Sequence, residues 1–127
     1  MPQVIIHHST IIEDQIKSIL VEKIRNTLVE VLEISENIGQ VIMYESSTKQ
    51  RSIHKNRDIN FVIIEVIMYV GRDKEMKEKL MNSLVSLINK HTGINSEDII
   101  CYINEITPEN YYGGTSDKYI DDITKYS

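Results

Sequence analysis

The sequence predicts an α/β (α+β) fold in which two consecutive β-α-β units form a four-stranded sheet with two helices on one face. Three observations carry that prediction. The chain resembles itself at an offset of 60 residues, two long segments carry helical stripes of apolar residues, and four short β-branched runs flank them. At that offset Leu20 falls on Leu80, Ile24 on Leu84, Leu28 on Ile88 and Ile34 on Ile94. Ile16 meets Met76, Lys17 meets Lys77, and Glu45 meets Glu105, each glutamate closing an apolar run, GQVIMYE and DIICYINE. The chain is therefore read as one domain, 1–127, with repeats over 1–46 and 61–106, a linker over 46–60 and a tail over 115–127.

The elements follow in order. Val4 to His8 is short and rich in β-branched residues, which suits a strand. From Ile12 to Glu33 the positions Ile16, Leu20, Ile24, Leu28 and Val31 recur every three or four residues, while Lys17, Glu22, Arg25 and Glu30 take other faces. Gly39 breaks the chain before the strand Val41–Glu45. Phe61 to Val70 is the third strand. Asp73 caps a helix with the stripe Met76, Leu80, Leu84, Leu87 and Ile88; Gly93 ends it, and Ile99–Glu105 is the last strand. A strand joined to another through a helix makes a right-handed parallel unit. With both helices on one face, the other face remains rich in Ile, Val and Met, and oligomerisation is expected.

Composition narrows the function. Hydrophobic residues make up 41% and charged residues 26%, a globular balance. A net charge of −5 argues against a nucleic-acid binder, which needs a basic face. No apolar run is long enough to span a bilayer, and MPQVIIHHS has no basic leader, so a cytoplasmic protein is expected. The single cysteine, Cys101, excludes an internal disulfide and is read as a small core residue. His7 and His8 are adjacent in a strand, point to opposite faces and cannot chelate one metal together. No cofactor or metal is expected.

Three features bear on chemistry. Initiator methionine is generally removed before a residue as small as proline, so Pro2 would carry a secondary amine at a sheet edge, a base when neutral. Gly71-Arg72 lies between strand and helix, where a cation is unfavourable with the helix dipole unless it serves a carboxylate ligand. Glu105–Gly114, EITPENYYGG, turns at Pro108 and presents Tyr111 and Tyr112. Pro2 and Arg72 begin and end their respective strands, so they meet within one subunit only if the two units run antiparallel. The overlay sets Arg72 against Ile12, so the repeats have diverged there.

These residues together resemble the tautomerase superfamily. The proline after Met1, GRDKEMKEKL at Gly71–Leu80, and INSEDIICYINEITPENYYGG at Ile94–Gly114 carry the resemblance, which extends over nearly the whole chain. The double-length form is similar to the macrophage migration inhibitory factor, carboxymethyl-hydroxymuconate isomerase and malonate semialdehyde decarboxylase branches. The resemblance implies a homotrimer with helices outside and sheets facing a central barrel. It also implies a cofactor-free keto–enol tautomerase of small 2-oxo acids, with Pro2 as base, Arg72 holding the carboxylate, and Tyr111, then Tyr112, as the aromatic. Asn37 and Tyr44 are further candidates, read as lying near one end of the second strand. The decarboxylase branch carries a second arginine where Val70 stands and an aspartate where Asn37 stands, so decarboxylation or hydration is the alternative. Arg51 or Arg57 of the linker would have to supply any second arginine. A non-catalytic trimer that binds a ligand or protein is the reading from another class.

Overall fold

The computed structural model describes residues 1–113; the tail read over 115–127 lies outside the described residues. The elements are β1 (Gln3–His8), α1 (Asp14–Leu32), β2 (Gln40–Glu45), β3 (Val62–Tyr69), α2 (Lys74–Thr92) and β4 (Ile99–Ile106). Short 3-10 turns occupy Thr48–Gln50, Ser96–Asp98 and Pro108–Asn110. Strand order is β2-β1-β3-β4. β1 runs parallel to β2 and β3 parallel to β4, while β1 and β3 are antiparallel. The sheet is thus two parallel β-α-β units joined edge to edge in opposite directions.

The offset of 60 residues recurs in three dimensions. α1 and α2 span 14–32 and 74–92, and two of the 3-10 turns span 48–50 and 108–110. Leu20, Ile24 and Leu28, with their counterparts Leu80, Leu84 and Ile88, are buried against Val4, Ile6, Val62, Ile64, Val66 and Met68. Each such side chain is worth about 1.5–3 kcal/mol of burial, so these stripes dominate the fold's stability. Lys17 reaches Glu45 at 3.8 Å, and Lys77 reaches Glu105 at 3.1 Å. These matched, partly exposed pairs tie each helix to the end of its own unit's second strand and contribute about 1 kcal/mol or less apiece.

The helices begin and end differently. Asp73 Oδ1 accepts the Met76 N–H at 2.8 Å, capping α2, whereas Glu13 before α1 makes no side-chain cap. Both helices close on a left-handed residue, Gly93 at φ 75° and Glu33 at φ 55°. The glutamate bears a conformational strain that the glycine avoids.

The linker is tied down by Arg51. Its Nε donates to Ser46 Oγ at 3.0 Å, and its Nη1 donates to the carbonyls of Ile59, at 3.1 Å, and Phe61. The guanidinium lies 4.4 Å from the centre of the Phe61 ring. One side chain therefore holds both ends of the connection together. Ser9 Oγ donating to Asn60 and Arg57 Nε donating to the Glu97 carbonyl fix it to the end of β1 and to the turn before β4 at the same sheet end.

The sheet face away from the helices is apolar only in part: isoleucines stand on it, while the valines and methionines expected there turn to the helix side. Ile5, Ile42, Ile63, Ile67 and Ile100 line it, with Tyr44 and Tyr102 exposed at its margins. A polar string crosses it: Asn104 Nδ2 donates to Glu65 at 3.2 Å, Glu65 lies 3.9 Å from His7 Nε2, and His7 stacks on Tyr44. His8 points the other way and is buried, its Nδ1 2.9 Å from the Thr10 carbonyl oxygen.

Two predictions follow from the linker clamp and from His8. Arg51→Met removes three hydrogen bonds donated by a cation and should lower stability by roughly 2 kcal/mol, read as a fall in the urea midpoint. Burial holds the His8 imidazole below its ordinary pKa of 6.5, with the Thr10 carbonyl and Glu45 opposing and Lys17 and Arg51 assisting. The folded chain binds that proton less readily than the unfolded one, so this contribution is complete above pH 6.5 and is lost as pH falls below it. His8→Met, which places the side chain of its repeat counterpart Met68, should flatten the decline in melting temperature between about pH 7 and 5.

Candidate active site

The antiparallel join decides which ends coincide. Gln3 of β1 pairs with Ile67 of β3, so Pro2 stands beside the end of β3 and the Gly71-Arg72 segment that follows. Gln3 also pairs with Gln40, bringing the start of β2 to the same end, and Tyr69 pairs with Ile106, bringing the end of β4. Pro2, Arg72 and Tyr111 therefore share one end of one sheet, each delivered by a different strand.

The backbone there is specialised. Gly39 has φ +102° and Gly71 φ +121°, a region that side chains rarely adopt, so each lets the chain turn sharply beside the site. A Cβ on Gly39 would stand 3.8 Å from the Pro2 carbonyl oxygen, an ordinary contact, so conformation rather than space demands glycine here. The Gln40 N–H donates to that same carbonyl at 3.2 Å, fixing the peptide that follows the proline ring.

Met1 and Pro2 are both buried, Met1 at 3% exposure. Arg72 is buried at 4% exposure, although Asp73 and Lys74 beside it are exposed. Its planar fork of donors has the geometry that pairs with a carboxylate. Tyr111 follows the turn Pro108–Asn110, where the Tyr111 N–H donates to the Pro108 carbonyl at 3.2 Å. Its ring meets Tyr69 edge to face, with centroids 5.8 Å apart and an interplanar angle of 86°. Tyr112 projects outward at 92% exposure. Of the two tyrosines, Tyr111 is the one that packs at this end.

The remaining sequence candidates lie elsewhere. Asn37 precedes β2 at this end but is exposed, lining a groove between α1 and β2 with Glu22, Arg25 and Glu36. Tyr44 stands near the other end of β2, paired with His7, so it does not share Asn37's end. Tyr44 lies about 13 Å along the strand from Gln40, from four residues of rise. Arg51 and Arg57 are engaged at the far end of the sheet and bring no second guanidinium to Pro2. Cys101 is held by burial at a pKa of about 12, which makes its thiol inert. Among the described residues no group of three His, Cys, Asp or Glu is placed to hold a metal ion, and no helix is long and apolar enough to cross a membrane.

Tyr69 escapes the sequence reading. It occupies an outward position of a strand, where its neighbours are half-exposed, yet it is buried and its ring meets that of Tyr111. An aromatic two residues before a Gly-Arg turn is the signal that would have drawn attention to it.

Fold and site together define a class: a duplicated β-α-β protein with a proline, an arginine and a tyrosine collected at one sheet end. The chain belongs to the tautomerase family, whose sequence model, described as tautomerase enzyme, matches residues 39–112. No curated protein matches the chain. Among solved structures it is similar to a macrophage migration inhibitory factor-like protein from Entamoeba histolytica, with 18% identity over 89% of this chain and 95% of that one, TM-score 0.76. It is similar to the FG41 malonate semialdehyde decarboxylase inhibited by 3-bromopropiolate, with 19% identity over 97% and 95% of the two chains, TM-score 0.76. It is also similar to a fused 4-OT symmetric trimer, with 16% identity over 89% and 91%, TM-score 0.79. At these identities the likeness establishes the fold.

Proposed function

We propose that this chain is a cofactor-free keto–enol tautomerase of small 2-oxo acids, in which Pro2 is the base once Met1 has been removed. The observation that carries the reading is the antiparallel β1–β3 register, which gathers Pro2, Arg72 and Tyr111 at one sheet end. While Met1 is attached, the Pro2 nitrogen is an amide without basicity. Its removal frees a secondary amine and also vacates the buried volume of the Met1 side chain beside it. Desolvation and the neighbouring Arg72 charge both favour the neutral amine, the form that accepts a proton. In the reaction the nitrogen takes the hydroxyl proton of the enol and delivers it to the adjacent carbon, leaving the 2-oxo acid. Arg72 holds the carboxylate and polarises the neighbouring oxygen, and Tyr111 keeps water from the reacting atoms. The reaction belongs to the cytoplasm and needs no metal.

The same reading includes a homotrimer. The isoleucines on the open face of the sheet support it, and the fused 4-OT neighbours are described as trimers. Ile42→Glu, on the exposed margin of that face, should convert the native mass from trimer to monomer.

Phenylenolpyruvate ketonisation, followed by ultraviolet absorbance on Met1-free protein verified by mass, tests the chemistry. Pro2→Ala should lower kcat/KM by about 10²–10⁴, the range of a general base. Arg72→Ala should raise KM and lower kcat, and unchanged constants would remove Arg72 from the site. Full activity in a chain that retains Met1 would remove Pro2. Carbon dioxide release from malonate semialdehyde by a processed chain inert toward the enol would favour the decarboxylase alternative.

A further inference from the structure

His8 is a buried titratable group that the proposed chemistry leaves unused, and it closes β1 at the sheet end opposite Pro2. The residue is 1% exposed, and its Nδ1 lies 2.9 Å from the Thr10 carbonyl oxygen. A carbonyl only accepts, so Nδ1 carries the hydrogen and an incoming proton goes to Nε2. Three charged groups face the ring: Glu45 from β2, Lys17 from α1 and Arg51 from the linker. Lys17 lies 3.8 Å from Glu45 and 3.9 Å from Asp14, so Glu45 already has a cation beside it. A protonated His8 would add a third positive charge to Lys17 and Arg51 in a place from which water is largely excluded.

The three elements that bring those charges are held with unequal firmness. α1 is anchored in the core by Leu20, Ile24 and Leu28, and β2 by its register with β1. The linker, 46–60, contributes no buried residue. Its hold is chiefly the set of bonds that Arg51 donates to Ser46, Ile59 and Phe61, with Ser9 Oγ donating to Asn60 at 2.8 Å. It is also joined directly to His8, whose carbonyl accepts the Ser46 N–H at 2.8 Å. Segments with few buried contacts open at the lowest cost. We infer that His8 is a proton-operated latch for the linker: when Nε2 takes a proton, residues 46–60 open and carry Arg51 away from the ring, while the four strands and two helices stay folded. The repeat supplies the contrast. Met68 is the counterpart of His8 and takes no proton, and the turn Pro108–Asn110 corresponds to Thr48–Gln50. This inference is independent of the tautomerase reading.

Amide hydrogen exchange on the full chain, corrected for intrinsic rates, tests the latch. The reporters are the amides of Gln50 and Arg51, which donate to Ser47 and Thr48, and those of Asn110 and Tyr111, which donate to Thr107 and Pro108 in the counterpart turn. Burial holds His8 below its ordinary pKa of 6.5, so the closed form binds the proton less readily than the open one, and opening gains as pH falls below 6.5. Between about pH 7.5 and 5.5, protection at Gln50 and Arg51 should fall by up to about tenfold, the ratio that one histidine supplies. Asn110 and Tyr111 should keep theirs. In His8→Met, protection at Gln50 and Arg51 should be the same at both pH values. Flat linker protection in the wild type, an equal fall at Asn110 and Tyr111, or a fall that persists in His8→Met overturns the latch. Should His8→Met fail to fold, His8→Gln takes its place in the same measurement.

Discussion

The antiparallel pairing of β1 with β3 is the constraint on which the rest depends. Each β-α-β unit by itself has a parallel pair, so both of its strands start at one end. Joining the units head to tail across Gln3–His7 and Ile63–Ile67 superposes the start of one unit on the finish of the other. Only then does a residue at the beginning of β1 face a residue just after β3. Had the two units joined in parallel, Pro2 and Arg72 would lie about 20 Å apart at opposite ends of the sheet, and no small acid would bridge them.

The join also closes the core. Val4 and Ile6 from the first unit stand beside Val66 and Ile64 of the second, beneath Leu20, Ile24 and Leu28 on one side and Leu80, Leu84 and Ile88 on the other. Neither helix alone covers the four strands, so each unit completes the other's burial. This reciprocity explains why the 60-residue overlay is strongest at the buried stripe and at the Lys17–Glu45 and Lys77–Glu105 pairs. Those positions answer to packing, and packing is common to both units.

The same logic sets what the sequence could reveal. Both helices, all four strands, the Asp73 cap and the Gly93 terminator follow from periodicity and end chemistry, and each lies within a residue or two of its expected bounds. Pro2, Arg72 and Tyr111 stand out because proline at a chain start, arginine at a helix start and paired tyrosines in a turn all break local expectation. The relative direction of the two units is set by tertiary pairing, which no local pattern encodes, so the meeting of Pro2 with Arg72 is only conditional at the level of sequence. Tyr44 shows the converse. Its residue type is suggestive, but strand position puts it with His7, far from Asn37's end. Tyr69 is hidden because the ring it meets belongs to a turn 42 residues later in the chain.

A duplicated fold has two equivalent corners but a chain has one beginning. The counterpart of Pro2 is Val62, whose nitrogen is a peptide nitrogen that no processing frees. The counterpart of Arg72 is Ile12, and the counterpart of Tyr111 is Arg51, which is spent on holding the connection closed. The linker must pass through this second corner to start β3, and the carbonyls of Ile59 and Phe61 that it brings there are satisfied by Arg51. An arginine there meets the polar demand of a crossing chain; a tyrosine at the first corner meets no such demand and can pack as a wall. The divergence of the two corners is thus set by connectivity. One carries the linker and is closed by the Arg51 side chain, and the other brings Pro2, Arg72 and Tyr111 to one sheet end.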